Sequence, residues 1–211
     1  MWLVFNYYFQ LKSKIKKIIC SQDFLRILSE KIYDKLGSKE IEGEPFLDRY
    51  AREHAINWAC RGGNEKCLSD TYAQVHVVVE HDGVVAEGLQ TIVYCNGLKG
   101  LNKQDEWVGM WHKMRNSQDS AERTRIIDAL GCTSDPVLLE DYLDSLLGNT
   151  GEVNYSLAER VRALQAVYQN SLIGVSATIK FMKSFTVEFL QRFFKSTLIL
   201  SFISTLEIIF S

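Results

Sequence analysis

Four of the five cysteines are the residues of this chain best placed to do chemistry. Cys60 and Cys67 stand close together in W-A-C-R-G-G-N-E-K-C, while Cys95 in V-Y-C-N-G-L and Cys132 in A-L-G-C-T each lie beside a glycine. Such cysteines can bind metal, act as nucleophiles, form disulfides or fill a core as small hydrophobes. Zinc fits poorly, because there is no C-x2-C and no histidine pair at ligand spacing near them. Reduced thiols and disulfides remain equally compatible with the composition. The histidines are His54, His76, His81 and His112. A helical zinc protease site needs H-E-x-x-H, which sets two ligands on one helix face with a glutamate base beside them. Glu80 precedes His81, but no second histidine follows four residues on, and His76 and His81 are five apart. All four read as surface or supporting side chains. No G-x-S-x-G, Gly-rich phosphate loop or C-x-x-C occurs, and nothing singles out a cysteine–histidine dyad. Asp128, Asp135, Glu140, Asp141 and Asp144 form an acidic stretch, which reads as a solvated helix face. The expectation is a chain with no catalytic and no metal-binding residue of its own. One sequon, Asn154-Tyr155-Ser156, makes Asn154 a candidate N-glycosylation site in a loop.

The chain that must position these residues has 211 of them, enough for one well-cored domain with or without an appendage. Apolar residues are 46%, charged residues 24% and the formal net charge is −2, so the strong basic excess of a nucleic-acid binder is missing. Pro45 and Pro136 are the only prolines. Long proline-free stretches rich in Leu, Ala, Glu, Lys and Arg favour helix over a sandwich or barrel.

Helical signals recur from Asp23 onward. Phe24, Leu25, Leu28, Ile32 and Leu36 are spaced as one face of a helix that Gly37 stops. A polar loop, Ser38 to Pro45, leads to a helix from about Phe46 to Ala59, with Tyr50, Ile56 and Trp58 expected among its buried residues. Gly62 and Gly63 break it. The next helix begins near Asn64 and takes in V-H-V-V-V-E-H. That run is strand-like by propensity, but a lone strand would have no partner. Asp82-Gly83 turns the chain into a helix from about Ala86 to Tyr94, closed by Gly97. Helices follow around Trp107 to Met114 and around Ile126 to Leu130, the second capped by Gly131. Thr133-Ser134-Asp135-Pro136 is a helix start, and that helix runs to Leu146 with Gly148 closing it. Ser156-Leu157-Ala158-Glu159 is a capping box. Gly174 is expected to interrupt the last helix before Val175 to Met182. Short loops between helices of three to four turns give the rhythm of HEAT-like repeats, in which each pair buries its face by stacking on the next.

The two ends differ from this pattern. Met1 to Phe9 is apolar and aromatic, followed by Lys12, Lys14, Lys16 and Lys17. It reads as a tail packed on the domain or an artefact of the chain boundary, with a surface helix at a membrane interface as the other reading. No basic residue precedes the run and no cleavage site is evident, so the polypeptide is expected to lack its natural beginning if it is extracellular. Lys195 to Ser211 is apolar but short for a membrane span, and it contains Glu207. Three readings stand for it: a packed or interfacial helix, an artefact of the chain boundary, or a membrane element.

The ordered set of motifs resembles one family. I-Y-D-K-L-G (32–37), A-R-E-H-A-I-N-W-A-C-R-G-G-N-E-K-C (51–67), I-V-Y-C-N-G-L-K-G (92–100), E-W-V-G-M-W (106–111), I-I-D-A-L-G-C-T-S-D (126–135), L-L-E-D-Y-L (138–143) and N-S-L-I-G-V (170–175) carry it. The chain resembles the C-terminal, endoplasmic-reticulum-aminopeptidase-like helical domain of zinc aminopeptidases of the aminopeptidase N family. The likeness implies an all-α, bowl-shaped superhelix of HEAT-like helix pairs over 23–191, between an atypical appendage at 1–22 and an apolar tail at 192–211. It implies two structural disulfides, Cys60–Cys67 and Cys95–Cys132, and leaves Cys20 unpaired. It further implies a non-catalytic part of an enzyme that removes N-terminal residues from peptides. The bowl would close over a separate catalytic domain, which holds the zinc, and would help hold the peptide. H-E-x-x-H and G-x-M-E-N, which that catalytic domain carries, are absent here, so the chain is expected to be inactive alone and to need no cofactor of its own. The implied partners are that catalytic domain and a peptide, at the outer face of the plasma membrane or in secreted form. The alternative is a stand-alone α-solenoid that binds a peptide or protein without hydrolysing it. A cytosolic relative with reduced thiols is the third reading.

Overall fold

A computed structural model of the chain describes residues 27–100, 103–147 and 153–184. All regular structure among the described residues is helical. The chain divides into two compact units, Met1–Gly97 and Leu98–Ser211. The domain boundaries expected near residues 22 and 191, the lysine cluster, Cys20, Gly148 and the apolar tail all lie outside the described residues.

The first unit holds α1 (27–36), α2 (Phe46–Arg61), α3 (Glu65–His81), a single 3-10 turn (Glu87–Leu89) and α4 (Gln90–Gly97). Gly37 takes a left-handed φ of 64° and its N–H closes the last turn of α1 on the Tyr33 carbonyl. Asn64 caps α3 by accepting a hydrogen bond from the Cys67 N–H at 2.9 Å. The valine-rich run is helical, as the lack of a strand partner suggests. Val75 and Val78 stand three apart on α3 and are buried, whereas Val77 faces outward. α3 packs on α4, and α2 packs on both.

Of the residues expected to be buried on α2, Ile56 is buried but Tyr50 and Trp58 are not. Leu28 and Ile32 on α1, and Tyr50 and Trp58 on α2, are 54%, 51%, 59% and 43% exposed. The helical spacing is right, but the buried stripe is a different one. α1 buries Ser29, Tyr33 and Leu36, while α2 buries Arg52, Ala55, Ile56, Ala59 and Cys60. Arg52 is tolerated inside because all three of its guanidinium nitrogens donate hydrogen bonds. It forms a two-pronged ion pair with Glu44 and donates through Nε to the Leu36 carbonyl at 3.0 Å.

The second unit holds α5 (Gln104–Asn116), α6 (Ser120–Leu130), α7 (Pro136–Ser145), α8 (Leu157–Asn170) and α9 (Leu172–Lys183). α6 packs on α5 and α8, and α9 packs on α7 and α8. The caps are those the sequence signals: Asp135 accepts from the Val137 N–H at 2.9 Å with Pro136 in the first turn, and Ser156 and Glu159 form a reciprocal capping box. The break assigned to Gly174 falls instead at Ser171, whose hydroxyl caps α9 through the Gly174 N–H. Gly174 sits in the first turn of α9, where a Cβ would stand 1.9 Å from the Val167 carbonyl oxygen. The residue marks close packing of α9 on α8, not an interruption.

Gly97 and Gly131, expected as stops, are also close-approach residues. Neither has a positive φ. A Cβ on Gly97 would lie 2.4 Å from a Val75 methyl, and one on Gly131 would lie 2.6 Å from the Ala166 carbonyl carbon. They allow α4 to meet α3, and the end of α6 to meet α8.

Candidate functional site

Cys60 lies near the end of α2 and Cys67 in the first turn of α3. The Gly62-Gly63-Asn64 turn brings their Cα atoms to 5.2 Å, and the two form a disulfide. Gly63 supplies the left-handed turn residue, φ 79°. Both cysteines are buried. Cys95 on α4 and Cys132 just after α6 are likewise disulfide-bonded. None of the four is therefore a thiolate ready to act as a nucleophile or bind metal.

The four histidines lie on exposed positions of α2, α3 and α5. His54 meets the Tyr50 ring edge-on at 5.0 Å, and His76 lies tilted against Tyr72 at 6.0 Å. Among the described residues, no three His, Cys, Asp or Glu side chains gather as a metal site. The acidic stretch is only partly a solvated face. Asp128 takes two hydrogen bonds from Arg162, at 2.7 and 2.6 Å; Asp135 is a helix cap; Glu140 accepts from Lys180 at 2.6 Å. Asp141 and Asp144 are exposed.

The densest polar and aromatic cluster lies in the second unit and is structural. Trp107 stacks on Trp111, and Tyr142 meets both rings edge-on. The Trp107 indole N–H donates to the Leu130 carbonyl at 3.0 Å, and the Tyr142 hydroxyl to the Ile127 carbonyl at 2.8 Å, so both polar tips are satisfied inside. Burial raises the Tyr142 phenol well above its ordinary value and pushes Tyr155 up to about 12, which keeps both neutral. Beside them Arg123 binds Glu159 at 2.5 Å and the Met114 carbonyl at 2.9 Å. Burial raises the Glu159 carboxyl, but the Arg123 hydrogen bond and the Ser156 backbone and hydroxyl contacts outweigh it and leave it lowered. No phenol or carboxyl here is poised for proton transfer near neutral pH.

What remains is a surface in the first unit. Leu28 and Ile32 of α1 face Tyr50, His54, Ala55 and Trp58 of α2 across an apolar groove of about 460 Å³. Its lining carries two titratable groups, His54 and the Tyr50 phenol, which lie against each other. Mostly apolar side chains line this groove, which suits it to hold apolar surface. Its signal in the sequence is Tyr50, His54 and Trp58 at i, i+4 and i+8, a second stripe beside Ala55, Ile56 and Ala59 on the same helix. A smaller hollow of about 310 Å³ lies between Lys39 and Glu40, the end of α3 and Val84 to Ala86.

Comparison with known proteins finds one matching family model and several similar proteins. The family model described as ERAP1-like C-terminal domain matches residues 10–208. Aminopeptidase N of Plutella xylostella is 31% identical over 114 residues, which is 54% of this chain and 12% of that protein. Membrane alanyl aminopeptidase of Manduca sexta is 25% identical over 126 residues, 60% of this chain and 12% of that protein. Aminopeptidase N of Bos taurus is 26% identical over 145 residues, 67% of this chain and 14% of that protein. The chain thus spans only 12 to 14% of the length of these curated relatives.

Proposed function

Because the chain belongs to the ERAP1-like C-terminal domain family, we propose that it is the non-catalytic helical part of a zinc aminopeptidase. In this reading it covers the active site of a separate catalytic domain and helps hold the peptide whose N-terminal residue is removed. The observation that carries the reading is the family match over residues 10–208, with aminopeptidases as the similar proteins.

Zinc belongs to the catalytic domain of the parent. The described residues of this chain do not fit it: no three of their His, Cys, Asp or Glu side chains gather, and Cys60, Cys67, Cys95 and Cys132 are disulfide-bonded. No step is therefore assigned to zinc here. The chain contributes shape and contact. In this reading its helix pairs stack as a HEAT-like superhelix, Cys95 and Cys132 bridge to one another, and the protein works at the outer face of a membrane or after secretion. No described helix is long and apolar enough to cross a membrane. The apolar groove of α1 and α2 supports a contact face toward the rest of the enzyme, since a contiguous exposed apolar patch commonly marks an interaction site.

The test is reconstitution. The chain is added to an aminopeptidase catalytic domain that lacks its helical part, and cleavage is followed on peptides of increasing length. The chain alone should cleave none of them. Addition should change kcat/KM for longer peptides more than for a dipeptide amide. No change at any length, together with peptide binding by the chain alone, would replace this reading with the stand-alone binding module.

A further inference from the structure

We propose that Asn154 carries an N-linked glycan, and that the sugar is attached before helix α8 closes its N-terminal cap. The sequence contains a single Asn-x-Ser/Thr sequon, Asn154-Tyr155-Ser156. Asn154 is exposed in the extended segment that enters α8, so a bulky, hydrated oligosaccharide meets no core there. The second support is redox state. Cys60, Cys67, Cys95 and Cys132 are all disulfide-bonded, which belongs to an oxidising route through the cell, the same route on which sequons are glycosylated.

The timing follows from the other two sequon residues. Tyr155 is 3% exposed, packed near Trp111 and under the Arg123 guanidinium. The Ser156 hydroxyl accepts the Glu159 N–H at 3.3 Å, and the Ser156 N–H donates to the Glu159 carboxylate at 2.7 Å. Glycan transfer requires the sequon hydroxyl and an extended, accessible tripeptide. In the folded chain the tyrosine is anchored and the hydroxyl is engaged in the capping box. Asn154 is thus open to bear a finished glycan, but its tripeptide is closed to the transferase. In the transfer, Nδ2 of Asn154 attacks the anomeric carbon of an oligosaccharide carried on a lipid pyrophosphate. A C–N bond forms, and the anomeric C–O bond breaks with its electron pair leaving on the pyrophosphate. The amide gives up one proton.

The experiment is expression of the full chain behind a cleavable secretory leader in eukaryotic cells. Material whose leader has been removed is treated with peptide N-glycosidase, and intact mass is read before and after. The expected result is loss of one oligosaccharide with conversion of Asn154 to aspartate. The loss should be absent in Asn154→Gln and retained in Ser156→Thr. Ser156→Ala should lose the glycan too. An internal control is Gln118→Ser, which creates a sequon at Asn116, the exposed last residue of α5. A sugar at Asn116 with none at Asn154, or an unchanged glycan in Asn154→Gln, overturns the attachment site. For the timing, folded chain made without glycosylation is mixed with microsomes that glycosylate nascent chains. Modification of this folded chain as efficient as that of nascent chain overturns the order of events.

Discussion

At the residue scale, the most instructive position is Arg52. Its helix phase puts it inside, where an unpaired guanidinium is severely penalised. Glu44 answers it from the loop before α2, and the Leu36 carbonyl takes a third hydrogen bond. The partnership links α1, the loop and α2 through one side chain. Hydrogen bonding to Arg52 holds the Glu44 carboxyl below its ordinary value of 4.5. A depressed carboxyl contributes stability that is present above the unfolded pKa and lost as pH falls through the folded one. The urea midpoint of the wild type should therefore drop steeply as pH is lowered below 4.5. In Glu44→Gln it should start lower at neutral pH and fall less over that acid range. Parallel acid limbs for the two proteins would show that the pair does not govern acid stability. Nothing in the sequence marked this pair. Arg52 looked like one of many surface charges, and only the choice between two stripes on α2 decides that it points inward. The Cys60–Cys67 disulfide was expected only from the family resemblance, since composition and spacing left reduced thiols equally open, and the turn at Gly62 and Gly63 brings the two together.

At the element scale, the helices and their starts were legible because caps are local chemistry. Asp135 before Pro136, and Ser156 with Glu159, satisfy free amides within four residues, so no tertiary information is needed to find them. The stops were less legible, because glycine has two uses that sequence does not separate. Gly37 serves the left-handed turn, whereas Gly97, Gly131 and Gly174 serve close approach between packed helices. Gly131 gives a test in which two effects oppose each other. Its backbone is right-handed, φ −77°, so Gly131→Ala should stabilise by up to about 1 kcal/mol from backbone entropy alone. The added Cβ, however, would meet the Ala166 carbonyl carbon at 2.6 Å and the Val167 nitrogen at 2.8 Å. These are backbone atoms of α8 and do not rotate away. Overpacking of this kind costs about 1 to 3 kcal/mol, so the variant should be destabilised, with a lower thermal midpoint. Trimming Ala166 to glycine in the same chain should not restore it. A rise in the midpoint would mean that α6 and α8 separate more easily than their packing implies.

At the scale of the whole molecule, the sequence conveyed the helical structure of the described residues, and its family was legible from the order of its motifs. The division into units at Gly97 was not, because the residues around it are as apolar and glycine-marked as the other helix ends. Nor was the apolar groove, since Leu28, Ile32, Tyr50 and Trp58 have the spacing of a core stripe and differ from one only in what packs opposite. In the proposed reading that exposed face is the contact toward the rest of the enzyme. Leu28→Gln, Ile32→Gln and Trp58→Ser combined remove apolar surface that contributes little to the first unit's own core. The combined variant should keep its helical content and change stability by less than about 2 kcal/mol, as expected for three exposed substitutions. If the groove is a contact face, the same variant should lose most of its effect on a separately supplied aminopeptidase catalytic domain, seen as kcat/KM for long peptides returning to the value without added chain. A cavity-forming control such as Ile56→Ala, from the buried stripe of the same helix, should do the reverse. It should lower the thermal midpoint through a loss of about 2 to 5 kcal/mol, yet act normally on the catalytic domain at temperatures where it remains folded. Full activity in the triple variant would move the contact to another face, because a surface stripped of its apolar groups cannot supply apolar binding energy.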